Sequence, residues 1–65
     1  MSNLKRIREE KNVTQAKLAE ASGVSLRMIQ YYEQGVKDIN KAQGHTLYDM
    51  AKALGCSIED LLETT

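Results

Sequence analysis

Three residues, Gly23-Val24-Ser25, are all that separates two segments with helical periodicity. Each segment carries its own start and stop signals. Thr14 is a good N-cap for one and Ser25 for the other, because a hydroxyl oxygen there accepts a bond from a first-turn amide that has no partner inside the helix. Val13 can pack onto Leu18, and Val24 onto Ile29, apolar contacts that set how the chain enters each helix. Gly23 and Gly35 are the stops, since a left-handed residue that ends a helix is best tolerated without a Cβ. A link this short forces the two helices to cross steeply.

The same signals recur along the rest of the chain. A segment from about Asn3 to Lys11 places Leu4, Ile7, Arg8 and Lys11 on one face, with Asn12 as a left-handed stop. After Gly35 the pattern lapses through "VKDINKAQGH", read as a loop with one short helical turn capped by Asn40. Periodicity returns from His45 to Leu54, where Leu47, Met50, Ala51 and Leu54 form a stripe closed by Gly55. A brief last helix runs from Ile58 to about Glu63, capped by Ser57, with Glu59 and Asp60 suiting its first turn. Proline is absent, and Val, Ile and Thr never alternate with polar residues over a strand's length. The expected fold is therefore all-α, a compact five-helix domain containing a helix-turn-helix, with residues 1–65 forming one domain. Its core should comprise Leu4, Ile7, Leu18, Ala19, Val24, Ile29, Tyr32, Leu47, Met50, Ala51, Leu54, Ile58, Leu61 and Leu62.

The third helical segment has two unlike faces. At about 100° per residue, Ile29 and Tyr32 share one side, and Arg27, Gln30, Tyr31 and Gln34 share the opposite one. Leu26 and Met28 flank this outer face. Either is apolar enough to pack against another apolar group, with core packing the expected use of Met28. Glu33 falls beside Ile29, on the side that should be buried. Arg8 is likewise on the inner face of the first helix.

Net charge is zero, but it is unevenly distributed. Residues 1–37 carry Lys5, Arg6, Arg8, Lys11, Lys17, Arg27 and Lys37 against four glutamates, a balance of +3. Residues 38–65 carry two lysines against five acids, a balance of −3. The basic half holds the outer face just described. Cys56 is the only cysteine, so no internal disulfide forms, and a lone thiol suits a reducing, cytoplasmic compartment. No apolar run is long enough to span a membrane, and no signal-peptide pattern opens the chain. His45 has no Cys, Asp or Glu at metal-ligand spacing, and no nucleophile triad, glycine-rich phosphate loop or paired-carboxylate site stands out. Neither catalysis nor a metal or other cofactor is expected.

The stretch "TQAKLAEASGVSLRMIQYYEQG", with its Thr14-Gln15 opening, "LAEASGVS" and "IQYYEQG", resembles the helix-turn-helix of the phage repressor and Cro family of XRE-type regulators. "LKRIREEKNV" and "LYDMAKALGCSIEDLL" resemble that family's first and last helices, so the likeness covers nearly the whole chain. It implies a sequence-specific DNA-binding transcriptional regulator, most often a repressor, whose third helix lies in the major groove. It assigns Arg27, Gln30, Tyr31 and Gln34 to base edges or flanking phosphates. The chemistry suits them, because Arg pairs bidentately with guanine, Gln with adenine, and a Tyr ring packs on a thymine methyl or bonds a phosphate. Unlike many relatives, the chain has no polar residue at Leu26. The resemblance gives Gln15 a phosphate contact, at a helix N-terminus whose amides favour anions in any case. Thr14 and Ser25 join it as expected phosphate contacts, and Lys37 with the amides near Gly35 forms the expected second clamp. The resemblance also implies that Arg8 and Glu33 pair across the first and third helices. The expected partner is double-stranded DNA with a pseudo-palindromic operator, bound by a homodimer that uses this domain's own surface, with one of Leu61 and Leu62 beside Ile58 or Tyr48 at the contact. Members of the family also serve as antitoxins and restriction-modification controllers, and a protein-interaction module on the same fold is the alternative reading.

Overall fold

A computed structural model describes residues 2–63. Five α-helices follow in order, α1 (Asn3–Glu10), α2 (Gln15–Ser22), α3 (Leu26–Gln34), α4 (Gly44–Leu54) and α5 (Ile58–Leu61). A short 3-10 turn, Ile39–Lys41, lies between α3 and α4. No strand occurs among the described residues.

The caps act where the local sequence places them. Thr14 accepts from the Lys17 amide, Ser25 from the Met28 amide and Ser57 from the Asp60 amide. At α5 the box is complete, since the Asp60 carboxylate accepts in return from the Ser57 amide. Gly23 turns the chain at φ +76° between α2 and α3. A Cβ built there would meet nothing within 4 Å, so what the position demands is the left-handed backbone rather than space. Asn12 adopts φ +59° after α1, as its position predicts.

The stretch after Gly35 departs from expectation. The 3-10 turn is capped by Asp38, whose carboxylate accepts from the Asn40 amide, and not by Asn40. Ile39, absent from the predicted core, is 3% exposed and packs with the buried set. Ile39 lies in a stretch with no sustained helical period, so only the path of the chain reveals its burial. The α4 helix begins at Gly44, one residue before His45, with no side-chain cap bond at Gln43, and α5 ends at Leu61, short of Glu63.

Leu4, Leu18, Ile29, Met50 and Leu61 are fully buried at the centre. Around them lie Ile7, Leu47, Ala51 and Leu54. Ala19, Val24, Tyr32, Ile58 and Leu62, predicted as core, pack against this cluster but stay partly exposed. In so small a body the core reaches the surface on most sides. The α2 helix packs against both α3 and α4, while α1 contacts α3 and α5. That arrangement leaves one long side of α3 uncovered.

The C-terminal end of α5 is held by two asparagines. The Asn40 carboxamide donates to the Glu63 carbonyl at 2.6 Å and accepts from the Glu63 amide at 2.8 Å. Asn3 donates its side-chain amide to the Leu62 carbonyl and its backbone amide to the Glu63 carboxylate. Residues 62 and 63 are thereby tied to the loop after α3 and to the start of α1.

Candidate nucleic-acid interface

The uncovered side of α3 carries the residues its periodicity selects. Arg27 and Gln34 are exposed, and Gln30 and Tyr31 are half-buried. Among the described residues, none of these four side chains makes a hydrogen bond or ion pair within the protein. Their donors and acceptors remain free for an external partner. Leu26, the first residue of the helix, is 41% exposed beside them. Met28 is half-buried on the other flank, lining an open cleft with Tyr32, Lys37 and Ala42.

The one carboxylate of α3 is turned away from this face. Glu33 accepts from Arg8 through Nε at 2.7 Å and Nη2 at 3.0 Å. Arg8 also donates through Nη1 to the Val13 carbonyl at 2.7 Å. The bonds Arg8 donates to Glu33 push its pKa further above the usual value, outweighing the opposing effect of burial. With Glu33 neutralised inside, the outer face of α3 shows only the positive charge of Arg27, with exposed Lys37 just beyond the helix end.

Gln15 occupies a place that sequence periodicity did not foretell. Its side-chain amide donates to Glu33 Oε1 at 3.0 Å, so the first residue of α2 sits beside the last turn of α3. An NH2 group has two N–H bonds, and only one is used here. The two residues lie 18 positions apart on different helices, and no local pattern joins them.

The expected anion contacts differ in what they have to offer. The Thr14 and Ser25 hydroxyl oxygens accept from Lys17 and Met28, which leaves each O–H free to donate outward. The first amides of α2 and α3 have no intrahelical acceptor and lie at the positive ends of their helix dipoles. The amides near Gly35 are engaged. Gly35 donates to the Tyr32 carbonyl at 3.3 Å, and Val36 and Lys37 donate to the Tyr31 carbonyl at 2.9 and 3.2 Å. They close the C-terminus of α3, whose dipole end repels anions. Of the groups expected to form the second clamp, these amides are bonded within the protein and the Lys37 side chain is exposed.

Leu61 is buried and presents nothing to a second copy. Tyr48, 53% exposed with Lys52 Nζ 5.9 Å above its ring centre, shares an open groove with Ile58 and Glu59. His45 is exposed and bonded to Gln43. Among the described residues no group of three or more His, Cys, Asp or Glu side chains could hold a metal ion, and no helix is long and apolar enough to cross a membrane.

A family model described as Helix-turn-helix matches residues 4–61, most of the chain and all of the face assembled above. No curated protein matches the chain.

Proposed function

The chain belongs to the XRE-type helix-turn-helix family of DNA-binding regulators, and from that premise we propose that it is a transcriptional repressor that reads the major groove with α3. One observation carries the proposal. The uncovered face of α3 offers four polar side chains with no partner among the described residues, while the helix's only carboxylate is folded inward against Arg8. A face meant for a protein partner would carry more apolar anchors than Arg27, Gln30, Tyr31 and Gln34.

In this reading Arg27, Gln30, Tyr31 and Gln34 meet base edges. Thr14, Gln15 and Ser25 meet phosphates at the positive ends of α2 and α3, and Lys37 adds a charge contact beyond α3. Gln15 reaches a phosphate with the N–H that Glu33 does not use. One helix-turn-helix makes few base contacts, so the protein acts as a homodimer on a pseudo-palindromic operator in the cytoplasm. The Tyr48 and Ile58 groove is the surface offered for that pairing. No cofactor is required.

Selection of binding sites from random duplex DNA at low salt tests the proposal. The expected result is a motif of two related half-sites about one helical turn apart. If no motif is enriched, α3 does not read DNA, and the same face is a protein-interaction surface.

A further inference from the structure

We propose that Leu26 reads the 5-methyl group of a pyrimidine, thymine or 5-methylcytosine, once in each half-site; the proposal rests on the reading that α3 enters the major groove. Three aliphatic side chains of α3 have distinct fates. Ile29 is fully buried, and Met28 is half-buried against the cleft it shares with Tyr32 and Ala42. Leu26 alone is exposed, although it opens the helix directly after the Ser25 cap. At about 100° per residue it stands roughly 40° from Gln30 around the helix axis, on the rim of the uncovered face and away from Met28.

An isolated exposed leucine is ordinary on a protein surface. This one lies among side chains whose hydrogen-bonding groups are all available, at the end of the helix where free amides draw the chain toward phosphates. When such a face closes on DNA, an isobutyl group cannot satisfy a donor or acceptor on a base edge. Placed against one, it would strand a desolvated polar group. The 5-methyl of a pyrimidine is the apolar feature the major groove presents, and burying it against Leu26 removes apolar surface from water on both sides. The same side chain thus favours a methylated pyrimidine and disfavours bare cytosine at that position. Tyr31 is the competing methyl contact on this face, so the test separates the two.

The operator recovered by selection is resynthesised with each thymine replaced in turn by uracil, which deletes the methyl and nothing else. The wild-type protein is expected to lose about three- to fivefold in affinity at one position per half-site, the size set by burying one methyl. Leu26→Ala and Leu26→Gln should bind the parent operator more weakly and be indifferent to uracil at that position. Their melting temperatures should match wild type, because the side chain is exposed. With cytosine paired to guanine at the same position, 5-methylation should tighten wild-type binding by a similar factor and leave both variants unchanged. Several results would overturn the proposal. If uracil is tolerated everywhere while the motif persists, DNA reading stands without the methyl contact. A uracil effect that survives in both Leu26 variants and vanishes in Tyr31→Ala assigns the methyl to Tyr31. A requirement for thymine with 5-methylcytosine no better than cytosine assigns recognition to another thymine group. Failure to enrich any motif removes the premise itself.

Discussion

Arg8 and Glu33 meet fork to fork across α1 and α3, with side chains only 10% and 3% exposed. A pair so placed gives little net stability relative to well-packed apolar residues, yet removing one partner strands the other charge. Glu33→Ala should lower the unfolding free energy by about 3–5 kcal/mol. It also releases Gln15 from its acceptor, loosening the α2 start against α3. Urea unfolding checks the prediction, and a midpoint equal to wild type would show that the pair does not hold the helices.

Arg27 and Lys37 should fail in different ways. Arg27→Ala is expected to cost about 1–3 kcal/mol on the selected operator and to relax selection at one base position. Lys37→Ala should weaken binding to every sequence alike and reduce the salt slope by about one phosphate's worth. Base contacts specify, whereas phosphate contacts position. Titrations of both variants on operator and scrambled duplex at several salt concentrations separate the two signatures.

Asn40 bonds both the amide and the carbonyl of Glu63, taking the place of a neighbouring backbone. Asn40→Ala should cost about 1–2 kcal/mol, from two exposed hydrogen bonds of ordinary strength. Asn40→Asp should cost more, because a carboxylate cannot donate to the Glu63 carbonyl and repels it. The ordering Asp below Ala below wild type in thermal melts is the check, and Asp equal to wild type would count against the clasp.

Asp60 titrates below the ordinary carboxylate value, chiefly because the Ser57 amide donates to its carboxylate and then through the Ser57 side chain. A carboxyl whose folded pKa is depressed supports the fold above its unfolded pKa, and that support is lost as pH falls through the folded value. Acidification should therefore loosen α5 at its N-terminus below the ordinary carboxylate range. An NMR titration is expected to give a depressed midpoint for Asp60, and Ser57→Ala, which keeps the backbone amide and removes only the side-chain contribution, should move it back up in part. A wild-type midpoint in the ordinary carboxylate range would show that the amide bond does not hold the carboxylate.

How much of this was legible in advance follows from how far each interaction reaches along the chain. The bond from the Met28 amide to Ser25 spans one turn, and so does that from the Asp60 amide to Ser57, so residue type and spacing suffice to foresee them. The outer face of α3 was equally legible, since Arg27, Gln30, Tyr31 and Gln34 fall together by helical period alone. The pairing of Arg8 with Glu33 was foreseen only through family resemblance, because their spacing of 25 residues contains no local rule.

Determined by the sequence alone were the helices, the caps of α2, α3 and α5, the left-handed stops, and the polar stripe offered by α3, because each depends on a residue's neighbours within about a turn. Tertiary structure alone decided which half of an ambiguous pair went inside. Leu61 is buried and Leu62 only partly so. It also drew Gln15 to Glu33, Asn40 to Glu63 and Ile39 into the core. These outcomes depend on which helix lies across the gap and at what height, a distance set by packing the whole core at once and by nothing within reach of the residues themselves.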